Sequence, residues 1–316
     1  HWFPALTAYR PGEGWLIHPP CGVGEHYALP MADFNFEITV EGAQTAEEVG
    51  PGAVTRTDED TWRFRQSGGR DLALSVGQDY RMVSAETETG VRIEVYYFDE
   101  PCQGEQDTAL HALNTGVGAV ERYQSLFGPM SFDRLVVVAS DFPDGMEFSG
   151  LVFVGSEYFR YYNGAPAAWL TLITAHELAH QWWYALVGND QAIDPWLDEA
   201  LATYSELLYM EEAYPELVNW WWSFRVTEYS PQGAPGRPIY DYRSRREYIN
   251  AAYLRGVLMM QDLRNTMGDE AFIAWLRAYA RDNAGRLAQP ADLWAALPDG
   301  VDSEEIERIR AWYGVD

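Results

Sequence analysis

Lysine is absent from the 316 residues: all 22 basic residues are arginine, set against 48 acidic ones, for a formal net charge of −26. Binding nucleic acid needs clustered cations to neutralise phosphates, and a surface of this charge excludes that role. The missing lysine fits a GC-rich genome as well as selection for stiff, bidentate ion pairs, so it is read as a signature of source. Cysteine is scarce. Cys21 and Cys102 stand outside any metal-type CxxC pair and have two readings: one disulfide, which favours a place outside the cytoplasm, or two small buried hydrophobes, which favours the cytoplasm. Long apolar runs are also lacking. The longest, "APAAWLTLITA", is about half the roughly 20 residues that a bilayer span needs, so no membrane helix is expected. The opening "HWFPALTAYR" lacks the basic-then-apolar pattern of a secretion signal, as a processed chain also would.

What is present is ordinary globular material, 47% hydrophobic, enough for one large or two medium domains. The expected fold class is α+β. Residues 1–81 read as a β-rich domain: "FNFEITV", "TWRFRQ" and "DLALSV" alternate or run apolar between turn residues. Residues 82–164 read as mixed α/β, with strands "VRIEVYYF" and "RLVVVAS" around an amphipathic helix whose apolar side holds Leu110, Leu113, Val117, Val120, Tyr123 and Phe127. Residues 165–316 read as mainly helical, broken at "GNDQAIDP", "AYP", "SPQGAPGRP" and "NAGRLAQPAD".

The stretch "TAHELAHQWW" sits inside "WLTLITAHELAHQWWYALVG", where apolar residues surround a helix almost completely. A buried helix carrying His176, Glu177 and His180 needs partners for all three. At i and i+4 both imidazoles share one face, near enough to bind one ion, and Glu177 can reach water at that ion. A structural histidine pair on a wet helix face has the same spacing, so further residues must decide.

Three such features are present. With eighteen residues between it and His180, Glu199 is supplied by "PWLDEALATYSE" in a second helical pattern. Upstream, "DGMEFSG" places Gly145, Met146 and Glu147 between a turn and the strand "LVFV"; an exposed turn carboxylate is the bland reading of Glu147. Downstream, "AAYLRGVLMM" sets Tyr253 at the start of an apolar helix, where core packing is its bland role. In this order the segments resemble the zinc aminopeptidases of the aminopeptidase N family, gluzincins with GxMEN, HExxH-x18-E and YxxG. The resemblance implies a β-rich amino-terminal domain followed by a thermolysin-like catalytic domain with a mostly helical carboxy-terminal half. It departs at Phe148, which stands where the family has Asn. The chain also begins after the point where the family supplies a second amine-holding Gln or Glu. It ends before the long helical domain of larger members, which implies a more open cleft.

The resemblance further implies one zinc per chain held by His176, His180 and Glu199, with a fourth position for water. Glu177 is then the general base, Tyr253 the donor to the oxyanion, and Glu147, with Met146 and Gly145, the contact to a peptide's amino end. Glu206 lies at i+7 from Glu199 and is either the partner of a ligand imidazole or a solvated carboxylate. The expected partners are peptide substrates; the oligomeric state is not legible. Two other readings use the same text: a thermolysin-type endopeptidase, which needs no carboxylate reserved for an amine, and a binding module that kept the fold and lost the chemistry.

Overall fold

Strand Arg134–Ser140 carries a run of five buried residues, Leu135 to Ala139, because it runs parallel to a neighbour on each side and is covered on both faces. It centres a five-stranded sheet in this computed structural model, which describes residues 3–41, 47–98 and 105–315. The order is Gly145–Met146, Leu151–Gly155, Arg134–Ser140, Arg92–Phe98 and Tyr80–Glu86, with both outer strands antiparallel to their neighbours. Cys102 lies outside the described residues, and so does any pairing with Cys21.

The chain forms two compact units. One comprises Met31–Arg122 and Met130–Gln181; the other comprises His1–Pro30, Tyr123–Pro129 and Trp182–Asp316. Besides the five-stranded sheet, the first unit has a three-stranded antiparallel sheet ordered Ala32–Thr39, Thr61–Gly69, Ala53–Asp58. The period-two alternation of "TWRFRQ" buries Trp62, Phe64 and Gln66 on one face, where Phe36 stacks on Phe64 at 5.1 Å. Of "DLALSV", only Ser75 and Val76 join a strand, Ser75–Gly77. Asp71 leaves the strand pattern because its carboxylate accepts the Ser149 backbone N–H at 2.8 Å.

Helix Glu105–Phe127 forms as expected, but its buried face in the first unit is set by small residues: Ala109, Ala112 and Ala119 join Leu113 and Val120, while Leu110 is 37% exposed. Gly116 explains the shift. A Cβ there would lie 3.1 Å from Ile93 Cγ2 and 3.3 Å from Leu178 Cδ1, so the helix approaches more closely than large side chains permit.

Helix Trp169–Ala179 is buried from Leu170 to Ala179, as its all-round apolar composition requires. It stops sooner than the pattern suggests. His180 caps it, and the following Gln181–Leu186 is a loose π-type turn in which Trp183 (φ −100°, ψ 59°) and Tyr184 (φ 162°, ψ −67°) leave helical geometry. Buried indoles need acceptors. Trp182 donates to the Gly128 carbonyl at 3.1 Å and Trp183 to Ser205 Oγ at 3.0 Å, which a continuing helix with fixed side-chain directions would have to satisfy together.

The second unit is mainly helical. Helix Trp196–Ala213, buried from Trp196 to Met210, packs against Gly256–Met267, which in turn packs against Ser303–Tyr313. Among the described residues no helix is long and apolar enough to cross a membrane.

Candidate metal and catalytic site

His176 and His180 project from the same face of the buried helix, with Nε2 atoms 3.1 Å apart and side chains 4% and 1% exposed. Two ligands of one tetrahedral zinc, at about 2.0–2.1 Å each, stand roughly 3.3 Å apart, so the spacing fits two imidazoles sharing an ion. Buried imidazole donors with this convergence suit zinc better than they suit a hard oxygen-seeking cation. Glu177, one residue from His176, is also buried. Its carboxylate lies directly against Gly145: a Cβ at that position would be 1.9 Å from Oε1 and 2.4 Å from Cδ. Glycine at 145 therefore makes room for the carboxylate.

Gly145–Met146 is the edge strand, in register Gly145 with Val154 and Met146 with Phe153. Asp144 enters it with φ 72°, a left-handed conformation held by Gly155 N–H donating to its carbonyl at 2.7 Å. Glu147 follows and is 6% exposed, so the exposed-turn reading of this residue does not hold. The next residues are fastened from several sides. Ser149 N–H donates to Asp71, Gln66 Nε2 donates to the Ser149 carbonyl at 2.8 Å, and the Arg70 N–H donates to Ser149 Oγ at 3.0 Å. Phe148 packs edge-on to Phe153 at 5.8 Å, so its ring belongs to the core of the sheet. Gln181, 1% exposed, accepts from the Gly150 N–H at 2.9 Å and donates to the Phe148 carbonyl at 3.3 Å.

In the second unit, Glu199 occupies the first turn of helix Trp196–Ala213 and is 3% exposed. Its backbone N–H donates to Asp198 Oδ1 at 2.9 Å, while Gln191 Nε2 donates to Asp198 Oδ2 at 3.0 Å. Tyr253 donates its hydroxyl to Glu199 Oε1 at 2.5 Å. Burial and the Glu199 carboxylate hold that phenol well above the usual tyrosine range. The close approach depends on Gly256, where a Cβ would stand 2.4 Å from Ala200 Cβ. Thr203 bonds back to the Glu199 carbonyl at 2.7 Å.

Glu206 is fully buried, which removes the solvated alternative. Arg225 grips it with Nε at 2.9 Å from Oε2 and Nη2 at 2.9 Å from Oε1, and Trp221 Nε1 donates at 3.2 Å. His176, His180 and Glu199 make a group that could hold a metal ion, their ligand atoms all within 4.8 Å of one another. Glu147, His180 and Asp198 satisfy the same spacing, but both oxygens of Asp198 already accept hydrogen bonds within its own unit.

Two residues at this site escaped sequence reasoning. Gln181 carried a signal, as a polar residue one turn beyond Glu177 on a helix with no wet face. Arg225 carried another: a cation inside "WWWSFRV" demands a buried carboxylate, although its partner is not legible.

Aminopeptidase N of Lactococcus lactis subsp. lactis is 26% identical over 325 residues, covering 93% of this chain and 36% of that protein. Endoplasmic reticulum aminopeptidase 2 of Homo sapiens is 26% identical over 231 residues, covering 69% of this chain and 24% of that protein. The chain thus spans a minor part of each relative. The crystal structure of an M1 zinc metallopeptidase from Deinococcus radiodurans shares the fold, with a TM-score of 0.66 at 24% identity over 91% of this chain and 65% of that one. The model of the peptidase family M1 domain matches residues 111–313, well over half of the sequence, and the chain belongs to that family.

Proposed function

We propose that the protein is a zinc-dependent aminopeptidase, which removes the first residue of a peptide. His176, His180 and Glu199 would hold the ion. Bound zinc supplies Lewis-acid polarisation of a carbonyl and lowers the pKa of water towards neutrality. Glu177 accepts the proton of the attacking water and passes it to the departing amine, a role that suits a carboxylate held beside a ligand. Tyr253 donates its one hydroxyl proton to Glu199 before substrate binds and would turn it to the oxygen on which charge develops during the reaction. Glu206, gripped by Arg225, is the candidate partner of a ligand imidazole.

One observation carries the exopeptidase reading. Glu147 is a buried carboxylate two residues from Gly145, the residue on which the Glu177 carboxylate rests. A peptide ammonium paired with Glu147 would leave only the first peptide bond beside Glu177. Met146 and Gly145 offer edge-strand backbone to the substrate. The test compares an alanyl anilide with its N-acetyl counterpart, using wild type and Glu147→Ala. Losing one partner of such a pair commonly costs about 2–5 kcal/mol, so the variant is expected to fail on the free-amine substrate, with blocked substrate poor for both. Efficient internal cleavage of acetylated peptides, indifferent to Glu147→Ala, would assign the site to an endopeptidase.

A further inference from the structure

Two carboxylates in the first unit must keep a fixed separation if the proposed reaction is to select a terminal residue: Glu147 on the edge segment and Glu177 on the ligand-bearing helix. Two contacts join the edge segment to that helix and to the turn that follows it. At one, Gly145 lies against the Glu177 carboxylate. At the other, the side-chain amide of Gln181 holds the Gly150 N–H and the Phe148 carbonyl at once. Glu177 and Gln181 are four residues apart, so both contacts fall along one side, about a turn from each other. Glu147 lies between the two contacts in sequence. The other fastenings of this loop, from Gln66, Arg70 and Asp71, tie it to the β-rich half of the unit and set no distance to the histidines.

We propose that Gln181 is a positioning residue for substrate selection: its amide fixes the distance of Glu147 from His180 and Glu177, and so the register in which a peptide's amino end is held. The inference rests on the aminopeptidase reading above. Gln181 adjoins His180 in sequence, yet the hydrogen bonds of its side chain run to the loop, which separates its role from that of a ligand support. Both halves of the amide are used. The oxygen accepts from Gly150, where the left-handed φ of 76° admits glycine, and the nitrogen donates to a carbonyl that also accepts the Leu151 N–H at 3.1 Å.

The experiment uses the full chain with Gln181→Met, which keeps length and removes both bonds, and Gln181→Glu, which keeps the acceptor for Gly150 and removes the donor to Phe148. Zinc content, melting temperature, and kcat and KM on the alanyl anilide and its N-acetyl form are measured together. A misplaced anchor is expected to raise KM for the free-amine substrate by about tenfold to a hundredfold in Gln181→Met, less in Gln181→Glu. Zinc content should stay at the wild-type level, and the rate on the acetylated form should not move. Hydrogen exchange at the Gly150 amide should accelerate in Gln181→Met even without metal, a readout independent of turnover. A lowered melting temperature with KM unchanged would reduce Gln181 to a structural residue and overturn the proposal. Loss of zinc would overturn it also, by placing the effect on the helix instead of the loop. If the wild type itself shows no preference for a free amine, the aminopeptidase reading fails and takes this proposal with it; if the preference is present and survives Gln181→Met, only the proposal about Gln181 fails.

Discussion

Glu177 shows how much of a site a single residue can specify and how much it cannot. Its place between two histidines was legible because helical spacing is a property of the local chain. Its rotamer was not, since that depends on Gly145, some thirty positions earlier in the sequence, having no side chain. Glu177→Gln preserves this shape and removes the proton acceptor. Zinc content is expected to remain and kcat to fall by about two to four powers of ten, as general-base loss does; a variant that still turns over at a comparable rate would remove Glu177 from the chemistry. Tyr253→Phe is expected to lower kcat by about two to three powers of ten with KM little changed, because the hydroxyl acts on charge that develops in the transition state. An unchanged kcat would restrict that hydroxyl to holding Glu199.

At the scale of elements, strands Arg134–Ser140 and Arg92–Phe98 fall where their apolar runs place them, since a doubly covered parallel strand announces itself by composition. Helix Glu105–Phe127 was legible as a helix and its buried face in large part, since Leu113, Val120, Tyr123 and Phe127 are buried, but the periodicity of large residues put Leu110 inside and missed the contact built on Ala112, Gly116 and Ala119. The end of helix Trp169–Ala179 was hidden for a similar reason, because the acceptors of Trp182 and Trp183 lie at Gly128 and Ser205. Two substitutions probe contacts of this kind. Gly145→Ala forces a Cβ onto the far end of a flexible side chain, so the melting temperature should change little while displacement of Glu177 by about 1 Å costs roughly a hundredfold in turnover. A large loss of stability instead would show that the edge strand, not the carboxylate, gives way. Arg225→Met leaves the Glu206 carboxylate buried without its cation, at a cost of about 3–5 kcal/mol read as a drop in denaturation midpoint. The double variant with Glu206→Gln should recover much of that loss; if it does not, the pair is not what Arg225 contributes.

For the molecule as a whole, charge sets how stability responds to pH, and composition alone gives only part of the answer. A net charge of −26 opposes compaction at neutral pH and relaxes as the pH falls towards the pI near 4.4. Individual carboxylates pull in both directions. Burial pushes Glu94 up, but hydrogen bonds and charge from Arg134, with Arg92 and Tyr96, outweigh it and hold the group below its usual range; its contribution is present at neutral pH and lost on acidification. Asp194 has the opposite sign. Burial first, then Asp190 and Glu13 against the opposing Arg10, raise it from 3.8 to about 6. The folded state therefore holds this proton more tightly than the unfolded chain does. Its contribution is complete below about pH 4 and lost as the pH rises through about 6, a swing of up to about 3 kcal/mol. Asp194→Asn keeps the group neutral at every pH. The variant should match the wild type near pH 4 and melt progressively higher than it between pH 5 and 7.5, with the difference constant above that range. Measured in low and high salt, the pH-dependent difference should persist, because a partly buried group is screened less than the surface charge. Melting curves of the two proteins that run parallel from pH 4 to pH 8 would show that Asp194 titrates as an ordinary carboxylate, and the decline in stability towards neutral pH would then belong to the surface charge alone.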